Sequence, residues 1–466
     1  LLSNNGLIDT KVLLAQFIQT YAEQDDEFEE VDVILQDIDN LTSSGTGALL
    51  LAKKLSTYEN SVELISEWLE KSNDLAYWNL LPSIAEYIHH INGGNHNTEY
   101  ELLLLSAEES NSQSLYELAK LFKNGHLVEK NNEKTIELYR TSAELGNASA
   151  QLDLGYYYET GSLGLKKDND IAFEWYSKSA EQSHAIALSN LANFYEHGKA
   201  VEQNLDIAIK YYNKAIEGGY DHAFCNLGNI YRDYENIFDI EKALSIYKKG
   251  ANKGLSECQF NVGYTYDDFL NSPEEALKWY QKAASMNHSA AINNLGYMYG
   301  RGFGVEIDLK KEFEYTLKAA NLGNATAQNN LGRSYEYGTE TKQDYVKAHE
   351  YYTKAAMQNH GGALTNLGLF YSKGIVVEKN RSKALELYKK AAAMGDYASA
   401  FNLGNAYLNG DGVEKDRGTA IQYYQQSAKS GYDKANCQIG KIYREQNEID
   451  TAIRYFSLGA EKGLST

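Results

Sequence analysis

Proline is nearly absent: Pro82 and Pro273 are the only two in the chain. That excludes collagen-like, polyproline and Pro-rich linker architectures and leaves helices unobstructed. Cysteine is almost as scarce. Cys225, Cys258 and Cys437 are too few and too scattered for a disulfide framework or a zinc knuckle, and they read as reduced, packed thiols. No apolar run approaches the roughly 18 residues that a membrane-crossing helix needs, so no membrane insertion is expected. Positive charge is in deficit as well, with 44 Lys and Arg against 64 Asp and Glu. A chain with a formal net charge of -20 lacks the basic face that phosphate contacts require, so nucleic acid is not the expected partner. The deficit is regional: residues 1–110 carry 20 Asp and Glu against 4 Lys and Arg. Within that region, Asp25-Asp26-Glu27-Phe28-Glu29-Glu30-Val31-Asp32 reads either as a solvated face or as a docking site for a basic partner.

What is abundant is tyrosine, 38 of 466 residues, and it recurs in register. A leucine or other aliphatic residue, a small residue and then an aromatic three positions further on form a landmark. Its ten copies begin at Leu118, Leu154, Leu191, Leu227, Val262, Leu295, Leu331, Leu367, Leu403 and Ile439. Successive landmarks are 33 to 37 residues apart, so ten copies fill 111–466. Each copy reads as two helices. In the first, Ala, Leu and Tyr share a face at i, i+4 and i+8, as in Ala291, Leu295 and Tyr299. A Gly-rich turn follows, such as Gly302-Phe303-Gly304-Val305. The second helix carries an aromatic pair before Lys-Ala-Ala, as in Tyr351-Tyr352-Thr353-Lys354-Ala355-Ala356, and ends near Gly146, Gly323, Gly395 or Gly431. Eight of the ten copies place glycine directly after the landmark, although glycine inside a helix costs about 1 kcal/mol relative to alanine. The position is expected to admit a neighbouring helix that a Cβ would keep away. The turns of copies 4, 5 and 10 depart from the glycine pattern, and Pro273 is expected near the start of a second helix.

One such copy cannot bury its apolar face alone, whereas a stack shares a continuous core, so the expected fold is all-α: an α-solenoid of helix-turn-helix repeats. The pattern Ala-x-x-x-Leu-Gly-x-x-Tyr, Gly-x-Gly-Val, Ala-x-x-Tyr-Tyr-x-Lys-Ala-Ala-x-x-Gly resembles the Sel1-like repeat family, relatives of tetratricopeptide repeats. A period near 36 and the near absence of a closing proline favour that family over ordinary tetratricopeptide repeats. The resemblance implies a right-handed solenoid whose first helices line a concave groove, and an adaptor rather than an enzyme. Residues 1–110 read as helices near 10–23, 29–38, 46–57, 60–72, 75–91 and 98–110. The last four pair as two degenerate repeats, a divergent N-terminal cap. At the other end Gly463-Leu464-Ser465 echoes Gly254-Leu255-Ser256, where another copy begins, so a longer protein is expected.

No catalytic motif is present: no His-Glu-x-x-His, no Gly-x-Ser-x-Gly, no P-loop. His184, His288 and His360 recur seven residues before a landmark, in turns of separate copies, and read as structural; no cofactor is expected. The residue just before the landmark is Asn in seven consecutive copies: Asn190, Asn226, Asn261, Asn294, Asn330, Asn366 and Asn402. An amide both donates and accepts. This ladder therefore suits either gripping the backbone of an extended peptide or bonding to the next repeat's backbone. Two residues after the landmark the side chain varies between copies, and Tyr264, Tyr297 and Arg333 there are the expected hot spots of partner binding. The expected function is a scaffold that binds a protein or peptide, with a basic partner and a bacterial host-directed effector role as finer forms. The Asn- and Tyr-rich composition suits a low-GC bacterium. An envelope or polysaccharide-assembly scaffold, or a non-catalytic part of a larger enzyme, is the alternative. Compartment is not legible, with cytoplasm or a host cell the expectation.

Overall fold

The computed structural model describes residues 96–339 and 341–461. Among them are 21 α-helices and no strand. The helices expected near 10–91 and the acidic cluster at 25–32 lie outside the described residues, whereas the one expected at 98–110 is present as His96–Glu108. The chain divides into two compact units at Ile230/Tyr231, within the first helix of copy 4 (Ala223–Asp233). Inside each unit the first helix of a copy packs on its own second helix, and that second helix packs on the first helix of the next copy.

Local chemistry sets the boundaries. Second helices start on an Asn or Asp whose side chain accepts a backbone N–H of the first turn: Asn131, Asp168, Asn204, Asp239, Asp308, Asp344, Asn380 and Asp416. First helices end on a left-handed glycine, for example Gly302 at φ 74° and Gly338 at φ 69°. The turns that break the glycine pattern are rebuilt. Copy 4 inserts a short 3-10 turn, Glu235–Ile237, and copy 5 continues its first helix as a π-helical turn, Thr265–Phe269. Pro273 then opens the second helix of copy 5, where its missing N–H costs nothing.

The two tyrosines of the second-helix pair do different jobs. The first stacks on the aromatic residue that closes the landmark: Tyr299 on Tyr315 at 5.6 Å, Tyr335 on Tyr351 at 5.8 Å, Tyr407 on Tyr423 at 5.6 Å. The second is fully buried; Tyr176, Tyr212, Tyr280, Tyr352 and Tyr424 have no exposed surface. Its ring lies over the landmark glycine. A Cβ at Gly155 would fall 2.7 Å from the Tyr176 ring, and at Gly332 equally close to Tyr352. The close approach expected at that glycine is therefore made by a ring of the same copy. Cysteine departs in part from expectation: Cys437 is a free thiol, whereas Cys225 and Cys258 are not.

Candidate functional site

The seven asparagines before the landmarks occupy equivalent helical positions but not equivalent surroundings. Asn261 is buried, Asn330 is exposed, and Asn190, Asn226, Asn294, Asn366 and Asn402 are half-buried. Where partners are resolved they are side chains, not the backbone of a neighbouring repeat. Asn190 and Asn294 face the buried hydroxyls of Tyr176 and Tyr280 in the preceding copies, where their amides oppose the burial-driven rise of those phenols. The Asn366 amide donates to Asn329 Oδ1 at 3.0 Å, joining the first helices of copies 7 and 8. The positions two residues after the landmark separate too. Tyr264 is half-buried, donates to Asp268 Oδ2 at 2.8 Å and stacks on Phe260. Tyr297 is 54% exposed beside Phe303, and Arg333 is exposed.

A second constellation is built around the buried tyrosine. In four copies its hydroxyl donates to a carboxylate five residues beyond the landmark: Tyr176 to Glu159 at 3.0 Å, Tyr212 to Glu196 at 2.7 Å, Tyr280 to Asp267 at 3.4 Å, Tyr352 to Glu336 at 2.6 Å. Burial pushes the Tyr176, Tyr280 and Tyr352 phenols well above the ordinary tyrosine range, and the carboxylate bonded to each adds to the shift where it is ionised. Burial also raises the Asp267 carboxyl, while the Tyr280 hydrogen bond opposes that rise. Glu159 bonds in addition to Lys199 Nζ at 2.9 Å, and Lys199 reaches Asn193 Oδ1 at the same distance. This acid position was not singled out from the sequence. Its signal lies in aligning copies five residues past the landmark, where Glu and Asp occur in four copies and Lys, Arg, Gly, Ser or Leu in the others.

In copy 8 that position is Ser372, and a cavity of about 130 Å³ opens there. It is lined by Ser372, Arg381, Tyr388, Asn402, Asn405 and Asp411, together with apolar side chains. Among the described residues no group of three or more His, Cys, Asp or Glu could hold a metal ion, and no helix is long and apolar enough to cross a membrane.

The Sel1 repeat family model matches ten successive segments, from 112–147 to 437–464. The chain belongs to the Sel1 repeat family. Similar solved structures include a protective antigen of uropathogenic Escherichia coli with an SLR fold, 25% identical over 86% of this chain and 89% of that one, TM-score 0.48. A Sel1 repeat protein from Oxalobacter formigenes is 29% identical over 65% of this chain and 88% of that one, TM-score 0.44. No curated protein matches the chain. The Sel1 copies run in register with the helix pairs, so the stacked, ring-over-glycine unit is the repeat itself, and the Sel1 solenoid is a fold typical of protein-interaction scaffolds.

Proposed function

We propose that this Sel1 protein is a scaffold that binds a protein, or an extended segment of one, along the face formed by its first helices. The observation that carries the reading is the pairing of exposed and buried neighbours in the second unit. Leu295 and Leu331 are 1% and 0% exposed, yet Tyr297 is 54% exposed, and Asn330 and Arg333 are exposed. Packing within the repeat requires the leucines but leaves these three side chains at the surface, Tyr297 with Phe303 and Arg301 against its ring. Tyr and Arg are the residues most enriched where binding energy concentrates. The repeats hold no excess of basic residues, which favours a protein partner over nucleic acid.

Affinity capture compared between the wild type and the Tyr297→Ala/Arg333→Ala double variant tests this. A specific partner should be retained by the wild type and lost from the variant, with an unchanged melting temperature. Partners captured equally by both proteins refute this face as the site. An effector role predicts that the partner comes from host-cell extract; an envelope scaffold predicts one from the producing bacterium.

A further inference from the structure

Copy 8 keeps two members, the tyrosine and the asparagine, of the three-group constellation seen elsewhere. Tyr388 is present and 5% exposed, and Asn402 stands where Asn190 and Asn294 stand relative to Tyr176 and Tyr280. The carboxylate is missing: Ser372 occupies its position and lines the same cavity as Tyr388. Serine is too short to fill the space that Glu159 or Glu336 fills, and the cavity of about 130 Å³ is what remains. At about 30 Å³ per water in the liquid, that is room for a carboxylate with one or two methylenes.

The groups around the cavity suit an anion. Asn405 spends its side-chain oxygen on the Tyr424 hydroxyl at 2.8 Å, which leaves its NH2 as the group able to donate. Arg381 stands at the rim, half exposed, with Asp411 Oδ1 at 3.3 Å. A guanidinium has five N–H donors and can serve a second acceptor beside Asp411. Gly412 keeps this corner tight, since a Cβ there would fall 2.8 Å from Arg381 Cβ.

We propose that this cavity is a carboxylate-binding site, in which a ligand supplies the group that the chain itself supplies in copies 2, 3, 5 and 7. The ligand carboxylate accepts from Tyr388, from the Asn402 and Asn405 amides and from Arg381. It belongs either to an Asp or Glu side chain or to a C-terminus. The site deepens the scaffold reading, because a bound protein is what would deliver the carboxylate, but it is tested without any partner.

The test is saturation-transfer NMR on the full chain with three probes: N-acetyl-glutamate amide, N-acetyl-glutamine amide, and N-acetyl-alanyl-alanine with a free C-terminus. One or both carboxylates should bind at least about tenfold more tightly than the neutral glutamine probe. Which of the two binds identifies the source. Ser372→Glu restores the internal acid and should abolish this binding without lowering the melting temperature. Arg381→Gln, at a half-exposed position, should weaken it severalfold and decides the matter if Ser372→Glu fails to fold. Equal binding of the glutamine probe, no binding of either carboxylate, or wild-type binding by a folded Ser372→Glu protein overturns the proposal. Loss of partner capture at Tyr297 and Arg333 with no probe binding here would leave the scaffold standing and remove only this pocket.

Discussion

Gly332→Ala isolates the contact on which each repeat closes. Helix propensity alone predicts a gain of about 1 kcal/mol, because alanine loses less backbone freedom than glycine. The packing predicts the reverse. The new Cβ would lie 2.7 Å from two atoms of the Tyr352 ring and 3.3 Å from the Ala348 carbonyl oxygen. That ring is fully buried, so it must shift by several tenths of an ångström in a filled core, which costs about 1–3 kcal/mol. The shift also pulls the Tyr352 hydroxyl from Glu336, a 2.6 Å hydrogen bond to a carboxylate worth about 1.5–3 kcal/mol. The balance is a loss of about 1.5–5 kcal/mol. Copy 3 carries Ala192 at this place and still buries Tyr212, so a co-adapted repeat accommodates the methyl; a single substitution has no such compensation. Copy 6 supplies the control, since Thr316 replaces the ring there and a Cβ at Gly296 meets its hydroxyl at 3.1 Å. Gly296→Ala should be near neutral. In a repeat array a single two-state free energy is poorly defined, so hydrogen exchange by mass spectrometry is the assay, with denaturant unfolding beside it. Gly332→Ala should lose protection in copy 7 and its immediate neighbours. Adding Tyr352→Thr should cost much less in that background than in the wild type. A Gly332→Ala protein as stable as the wild type, or more so, would refute the reasoning.

Leu295→Ala removes a side chain that is 1% exposed and should cost about 2–5 kcal/mol, with exchange rising most in copies 5 to 7; uniform loosening of the described repeats would argue against a one-dimensional stack. His360 caps the first helix of copy 8 by accepting from the Ala363 N–H through Nδ1 at 3.2 Å, and burial holds its pKa below the ordinary 6.5. The unfolded chain therefore takes up the proton first, so this contribution to stability is full at neutral pH and is lost as pH falls through 6.5 to the depressed folded value. His360→Asn, which keeps a capping acceptor as Asn324 does in copy 7, should flatten the acid limb of a melting-temperature profile; an unchanged limb would exclude His360 as a source of it. Asn366→Ala should cost more stability than Asn330→Ala, measured by thermal melting, because only Asn366 is half-buried and bonded to Asn329.

The helical pairing, the ten copies and the cost accepted at the landmark glycine were legible because they recur: an apolar face repeated at one period leaves one way to bury it. The turns of copies 4 and 5 were also marked as different, though not that one would become a π-helical turn. The candidate site was less legible. Seven asparagines look alike in sequence because spacing alone places them on one helical face. Their roles depend on what the preceding copy presents: a tyrosine hydroxyl for Asn190 and Asn294, another amide for Asn366, solvent for Asn330. Likewise Ser372 is an unremarkable residue until Tyr388 and Asn402, 16 and 30 positions away, are brought against the space it leaves. Periodicity fixes which residues a repeat buries, because burial is a property of one helix face. Only the tertiary structure decides which polar groups meet, because a hydrogen bond needs two partners within about 3 Å, and packing brings them there from the two helices of one copy, as for Tyr352 and Glu336, or from successive copies, as for Asn366 and Asn329.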